Sequence, residues 1–175
     1  MAPKRVMLAV FFVIYPLKFF PAKSETWVKG RYWYSRSALP GLRINSALYT
    51  HLHCAFADVN SSSYELSLSE SDERKFSSFT DTVKQKNPSV MTLLSTGGGD
   101  ASYSTFSSMV SYSSFRKSFI DSSMRTAGLY GFQGLELGWA SANSSSDMYN
   151  MGVLFKSGEP LSSWRQETLA MHNLY

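Results

Sequence analysis

The chain has 175 residues, 43% of them hydrophobic, enough apolar material for the core of one domain or of part of a larger one. The formal net charge is +4. Lys4, Arg5, Lys18 and Lys23 contribute near the start, and later charges are mixed, as in "SDERKF". The sequence shows no basic stripe of the kind nucleic acid requires, so nucleic acid is excluded as an expected partner.

In chain order, "MAPKR" is a positive leader segment and "VMLAVFFVIY" an apolar run of signal-peptide length, followed by small residues in "PAKS". Pro16 and Lys18 interrupt the run, which is too short for a membrane span. The pattern predicts a signal peptide over residues 1–24 and a secreted protein, extracellular or vacuolar, free of the membrane after cleavage. An uncleaved anchor is the alternative. Asn60-Ser61-Ser62 and Asn143-Ser144-Ser145 are glycosylation acceptor triplets that fit an export route.

"WVKGRYWYS" is aromatic and β-branched and predicts a strand, followed by a loop broken by Pro40 and Gly41. "HLHCAFADV" predicts a second strand, ending in the polar turn cluster "NSSSYE". Cys54 lies in it alone, which excludes an intramolecular disulfide and a cysteine-based metal site; a small thiol packs well there. His51 and His53 lie two apart on the same strand, but no third ligand stands nearby, so structural roles are expected and no metal. From Ser71 to Lys86, Phe76, Phe79 and Val83 mark one face of a helix, stopped at Asn87-Pro88. "VMTLLST" predicts a third strand, closed by Gly97-Gly98-Gly99. Phe106, Met109, Val110, Phe115, Phe119 and Ile120 predict a helical region to about Ala127, and "GFQGLELGW" a fourth strand. Strands alternating with crossover helices imply parallel pairing and an α/β fold.

In that fourth strand Glu136, Gly138 and Ala140 are expected on one face and Leu135, Leu137 and Trp139 on the other. One face is apolar. The other carries a carboxylate and two positions with almost no side chain. A nucleotide-binding sheet is disfavoured, because "STGGGDAS" lacks the G-x-G-x-x-G spacing and the Gly-Lys-Ser/Thr of a phosphate loop. A barrel with its chemistry at the strand ends is the better reading, the glycines admitting a ligand close to the backbone.

"VKGRYWYS", "THLHCAFADVN", "KQKNPSVMTLLSTGGG" and "RKSFIDSSMRTAGLYGFQGLELGW", in that order, resemble the first half of plant class V chitinases of glycoside hydrolase family 18, over roughly residues 27–152. The resemblance implies an α/β fold, a truncated (β/α)8 TIM barrel with about four of eight strands, and action on N-acetylglucosamine polymers. No cofactor is implied. In the family the fourth strand carries D-x-x-D-x-D-x-E. The Glu is the general acid, and the Asp two before it orients the substrate's own acetamido group, whose oxygen attacks the anomeric carbon, an exception to the two-carboxylate scheme.

Carried across, Gln133 stands at the first Asp, Glu136 at the second, one methylene longer, Gly138 at the acetamido-orienting Asp and Ala140 at the proton donor. Both seats for the chemistry are empty, and no useful hydrolysis is expected. A positioned general acid contributes about 10²- to 10⁴-fold in rate. Glu136 then reads as a relic, a hydrogen-bonded core group or a sugar contact. Tyr32, Phe56, Gly97 and Gly98, at family substrate-side positions, are the candidate remnant of the cleft, although each aromatic also reads as core. Asp58 and Asp100, near strand ends, are the only nearby carboxylates for a residual chitinase.

The expected organisation is a signal peptide over 1–24, the barrel half over 25–152 and a divergent tail over 153–175, in which Gly158 and Pro160 break a helix. Two unpaired strand edges are expected, open to self-association. Three readings remain: an inactive chitinase-like protein binding chitin or chitooligosaccharide weakly, a residual chitinase, or a non-functional fragment of a chitinase or receptor-like protein.

Overall fold

The computed structural model describes residues 27–37, 43–140 and 142–158. The expected leader, Pro40, Gly41 and the tail beyond 158 lie outside the described residues. No described helix is long and apolar enough to cross a membrane.

Four parallel strands form the sheet, β1 (Gly30–Tyr34), β2 (His51–Val59), β4 (Met91–Gly97) and β5 (Gly134–Gly138), in spatial order β1-β2-β4-β5. Each step along the order is a crossover, as half of a (β/α)8 barrel requires. A two-residue strand, β3 (Leu66–Ser67), folds back antiparallel on Asp58 and Val59 at the end of β2. Among the described residues β1 pairs only with β2 and β5 only with β4, so the outer edge of each is open.

Helix α1 (Glu70–Lys84) starts at Ser69, whose side chain accepts the Asp72 N–H and whose hydroxyl donates to the Asp72 carboxylate. Acids in the first turn and Lys84 in the last complement the helix dipole. Phe76, Phe79 and Val83 are buried against Trp33, Leu52, Cys54 and Leu94. Cys54 is fully buried, and burial pushes its thiol well above the ordinary range.

The helical region after Asp100 is two helices, α2 (Tyr103–Ser111) and α3 (Ser113–Leu129). Tyr112 between them is extended, and Arg116 donates back across the break to the Val110 carbonyl at 2.6 Å. That bond satisfies an acceptor which the end of α2 leaves orphaned. α4 (Ser145–Ser157) follows β5 and ends at Gly158, so the boundary expected at residue 152 falls inside a helix. Phe106, Met109, Val110, Phe119, Trp139 and Leu154 form the second core, under α2, α3 and α4.

Candidate functional site

Alternation along β5 places Leu135 against the first core, and Leu137 and Trp139 in the second. The apolar face expected of this strand is therefore present. Glu136 points the other way, into the concave face. Its Oε1 accepts the Tyr32 hydroxyl at 2.5 Å, and its Oε2 accepts the Ser95 hydroxyl at 2.5 Å. His53 Nδ1 lies 3.1 Å from the same Oε2. Four strands thus converge on one carboxylate.

Burial opposes ionisation of Glu136, but the hydrogen bonds from Ser95, Tyr32 and His53 outweigh it and hold the carboxyl below its usual range. The Tyr32 hydroxyl is pushed up to about 12, first by the hydrogen bond to Glu136 and then by burial. Such a carboxylate is an acceptor with both oxygens engaged, and it holds no proton to deliver.

Tyr32 stacks on His53, with centroids 4.5 Å apart, and lies 5.9 Å from Phe56. Neither aromatic is ordinary core: Tyr32 is 51% exposed, and Phe56 is half-buried. Both sit on the face that carries Glu136.

Gly98 packs on Phe56, and Gly97 packs on Gly138 and Phe106. A Cβ on Gly98, whose φ is +85°, would lie 2.6 Å from Phe56 Cδ2. Gly97 has φ +108°, and a Cβ there would lie 2.9 Å from the Gly138 carbonyl oxygen. Both positions need glycine on two counts, conformation and space. Gly138 differs. A Cβ there would meet Phe56 Cε1 at 3.4 Å and the Thr96 carbonyl oxygen at 3.5 Å, close to ordinary contact. Position 138 would accept a Cβ without displacing its neighbours.

Ala140 departs from the expected row. β5 ends at Gly138, and Ala140 is exposed in the turn that follows, so it is not a continuation of the strand face. Gln133 precedes the strand and lies apart from the cleft. Its Oε1 accepts the Thr92 N–H at 2.8 Å and the Thr92 hydroxyl at 3.0 Å, tying β5 to β4.

Beside Phe56 a cleft of about 220 Å³ is lined by residues that include Tyr34, Arg36, Asp58, Gly97 and Asp100. Asp58 and Asp100, far apart in sequence, therefore face one space. Asp58 Oδ1 accepts the N–H of Val59 at 2.8 Å. The histidines are occupied locally, His53 with Glu136 and His51 with the Thr50 hydroxyl at 2.9 Å. Among the described residues no group of three or more His, Cys, Asp or Glu is placed to hold a metal ion. Asn60 and Asn143 are both exposed.

Ser95 is the member of the Glu136 cluster that the sequence reading missed, and His53 was read there without its partner. The available signal was alternation on β4, which puts Ser95 two residues before Gly97 on the same face.

The profile of glycosyl hydrolases family 18 matches residues 25–159. The chain belongs to this family. A class V chitinase of Arabidopsis thaliana is 47% identical over 147 residues, covering 84% of this chain and 37% of that protein. Nod factor hydrolase protein 1 of Medicago truncatula is 33% identical, over 82% of this chain and 37% of that protein. Among solved structures, the chitinase-like agglutinin of Robinia pseudoacacia superposes with a TM-score of 0.77 at 42% identity, covering 82% of this chain and 44% of that one. A mutant class V chitinase from Nicotiana tobaccum in complex with NAG4 gives 0.72 at 43% identity, over 83% and 41%. The chain spans well under half the length of these relatives, and its fold is the corresponding portion of their (β/α)8 barrel. It is a plant class V chitinase-like member of family 18.

Proposed function

We propose that the chain is a chitooligosaccharide-binding, non-hydrolysing member of family 18. What carries this reading is the sequence at and just past the end of β5, where the family resemblance sets Gly138 at the acetamido-orienting Asp and Ala140 at the proton donor, while Glu136 is engaged by Tyr32, Ser95 and His53. A methyl group has no proton to give, and a hydrogen atom cannot hold an acetamide. What remains suits sugar contact: exposed aromatic faces at Tyr32 and Tyr34, the Phe56 ring, and glycines that let a ligand approach the backbone. Two structural neighbours are complexes with NAG4 and (GlcNAc)3, and a third is an agglutinin, which supports binding. Export through a leader in residues 1–24 and self-association through the edges of β1 and β5 belong to the same reading.

The test is calorimetric titration of the purified protein with the N-acetylglucosamine tetramer, with the sugar recovered and sized afterwards. Saturable binding that weakens in Tyr32→Ala, with the tetramer intact, is the expected result. No heat at millimolar sugar rejects the reading. A second reading, residual hydrolysis, is favoured by Asp58 and Asp100 sharing the cleft beside Phe56. It requires shortened products that disappear in Asp58→Asn or Asp100→Asn.

A further inference from the structure

The fold treats the two glycosylation triplets differently. Asn60 opens the turn between β2 and β3. Its Oδ1 accepts the Ser62 N–H at 2.8 Å and the Ser63 N–H at 3.0 Å. Its backbone N–H donates to the Glu65 carbonyl and its carbonyl accepts from Tyr64, both at 2.9 Å. Every partner lies within five residues, so the turn closes locally and needs no distant part of the fold.

With Oδ1 occupied, Asn60 Nδ2 has no hydrogen bond among the described residues, and the residue is exposed. The bond from Asn60 to the N–H two residues on draws the third residue of the triplet back towards the amide. Hydrogen bonds accepted by Oδ1 also make Nδ2–H a better acid, which eases loss of its proton.

Asn143 is set otherwise. Ser144 caps α4, its Oγ accepting the Asp147 N–H at 3.0 Å and donating to the Asp147 carboxylate at 2.7 Å. Ser145 is already helical. The second and third residues of this triplet are thus directed into a helix start, and the Asn143 side chain makes no hydrogen bond to either.

We propose that Asn60 is an N-glycan attachment site and that Asn143 is not. The inference rests on the export reading. The donor is an oligosaccharide carried on a lipid pyrophosphate. Nδ2 of Asn60 attacks C1 of the sugar, the N–C1 bond forms, and the C1–O bond to the pyrophosphate breaks. The lipid pyrophosphate leaves with the electron pair, and the proton lost from Nδ2 passes to solvent.

The experiment translates the full 175-residue chain into microsomes behind a proven export signal, so that failure of residues 1–24 as a leader does not touch the result. Glycosidase-sensitive mass is read for the parent chain, Asn60→Gln, Asn143→Gln and Ser62→Ala. One glycan on the parent and on Asn143→Gln, with none on Asn60→Gln or Ser62→Ala, is the expected result. Ser62→Ala keeps Asn60 and the backbone turn, so its loss traces to the hydroxyl. A bare parent chain, a glycan retained in Asn60→Gln, or a second glycan lost only in Asn143→Gln overturns the proposal. A parallel arm without the added signal, giving no protected product, rejects export by the native leader and leaves the Asn60 result standing.

Discussion

The two sides of the concave face are held in different ways. Phe56 on β2 lies against Gly98 just past β4, Gly97 at the end of β4 closes on the Gly138 carbonyl, and Tyr32 reaches across from β1 to Glu136. That wall is held by mutual contact. At the end of β5, position 138 has ordinary space for a Cβ and carries none. Packing therefore explains the glycines of the wall and does not explain Gly138. The glycines of the wall and the glycine at 138 are thus set by different interactions.

The largest expected effect breaks the wall. Gly97→Ala places a methyl 2.9 Å from a backbone carbonyl at φ +108°, and the loss is roughly 3 kcal/mol in a urea melt. Gly98→Ala clashes with the Phe56 ring, which can shift, and costs less, roughly 2 kcal/mol. Gly138→Ala should change stability by under about 1 kcal/mol by the same measurement, since a Cβ there meets its neighbours at ordinary distances. If Gly138→Ala were as damaging as Gly97→Ala, the contrast between the two regions would fail.

Glu136→Gln sharpens the comparison electrostatically. Removing the charge brings the Tyr32 hydroxyl down from about 12 towards the ordinary tyrosine value, read by ultraviolet titration. The Glu136 carboxyl lies below its usual range in the folded protein, so its contribution is fully present above the unfolded value and is lost as pH falls through the folded one. The melting temperature of the parent should fall more steeply than that of Glu136→Gln below about pH 4. The smallest effect is at Lys117→Ala, whose bridge to Asp121 is solvent-exposed, with a change below about 0.5 kcal/mol in the same urea melt.

Much of the fold was legible in local pattern. β2 occupies the nine residues of "HLHCAFADV", and α1 runs Glu70–Lys84 where Ser71 to Lys86 was expected. β3 was not legible, since two residues carry no periodicity; the Leu66 N–H bond to Ser122 on α3 at 2.8 Å helps hold it. Nor was the break at Tyr112, because the apolar spacing continues through it with no Gly or Pro to mark a stop. The end of β5 at Gly138 was blurred in the same way, Trp139 extending the alternation beyond the strand. The site was legible as a row of residue types. Its central contact was not: Tyr32 and Glu136 are 104 residues apart, and only the sheet order brings them together.

The central claim is that two vacant side-chain positions remove the chemistry while the wall persists. The direct measurement is release of a fluorogenic leaving group from a chitooligosaccharide by the purified protein, beside a full-length class V chitinase and a mock purification. The account predicts a rate equal to the mock. Release at the rate of the full-length enzyme, surviving in a preparation free of host chitinase, would contradict it.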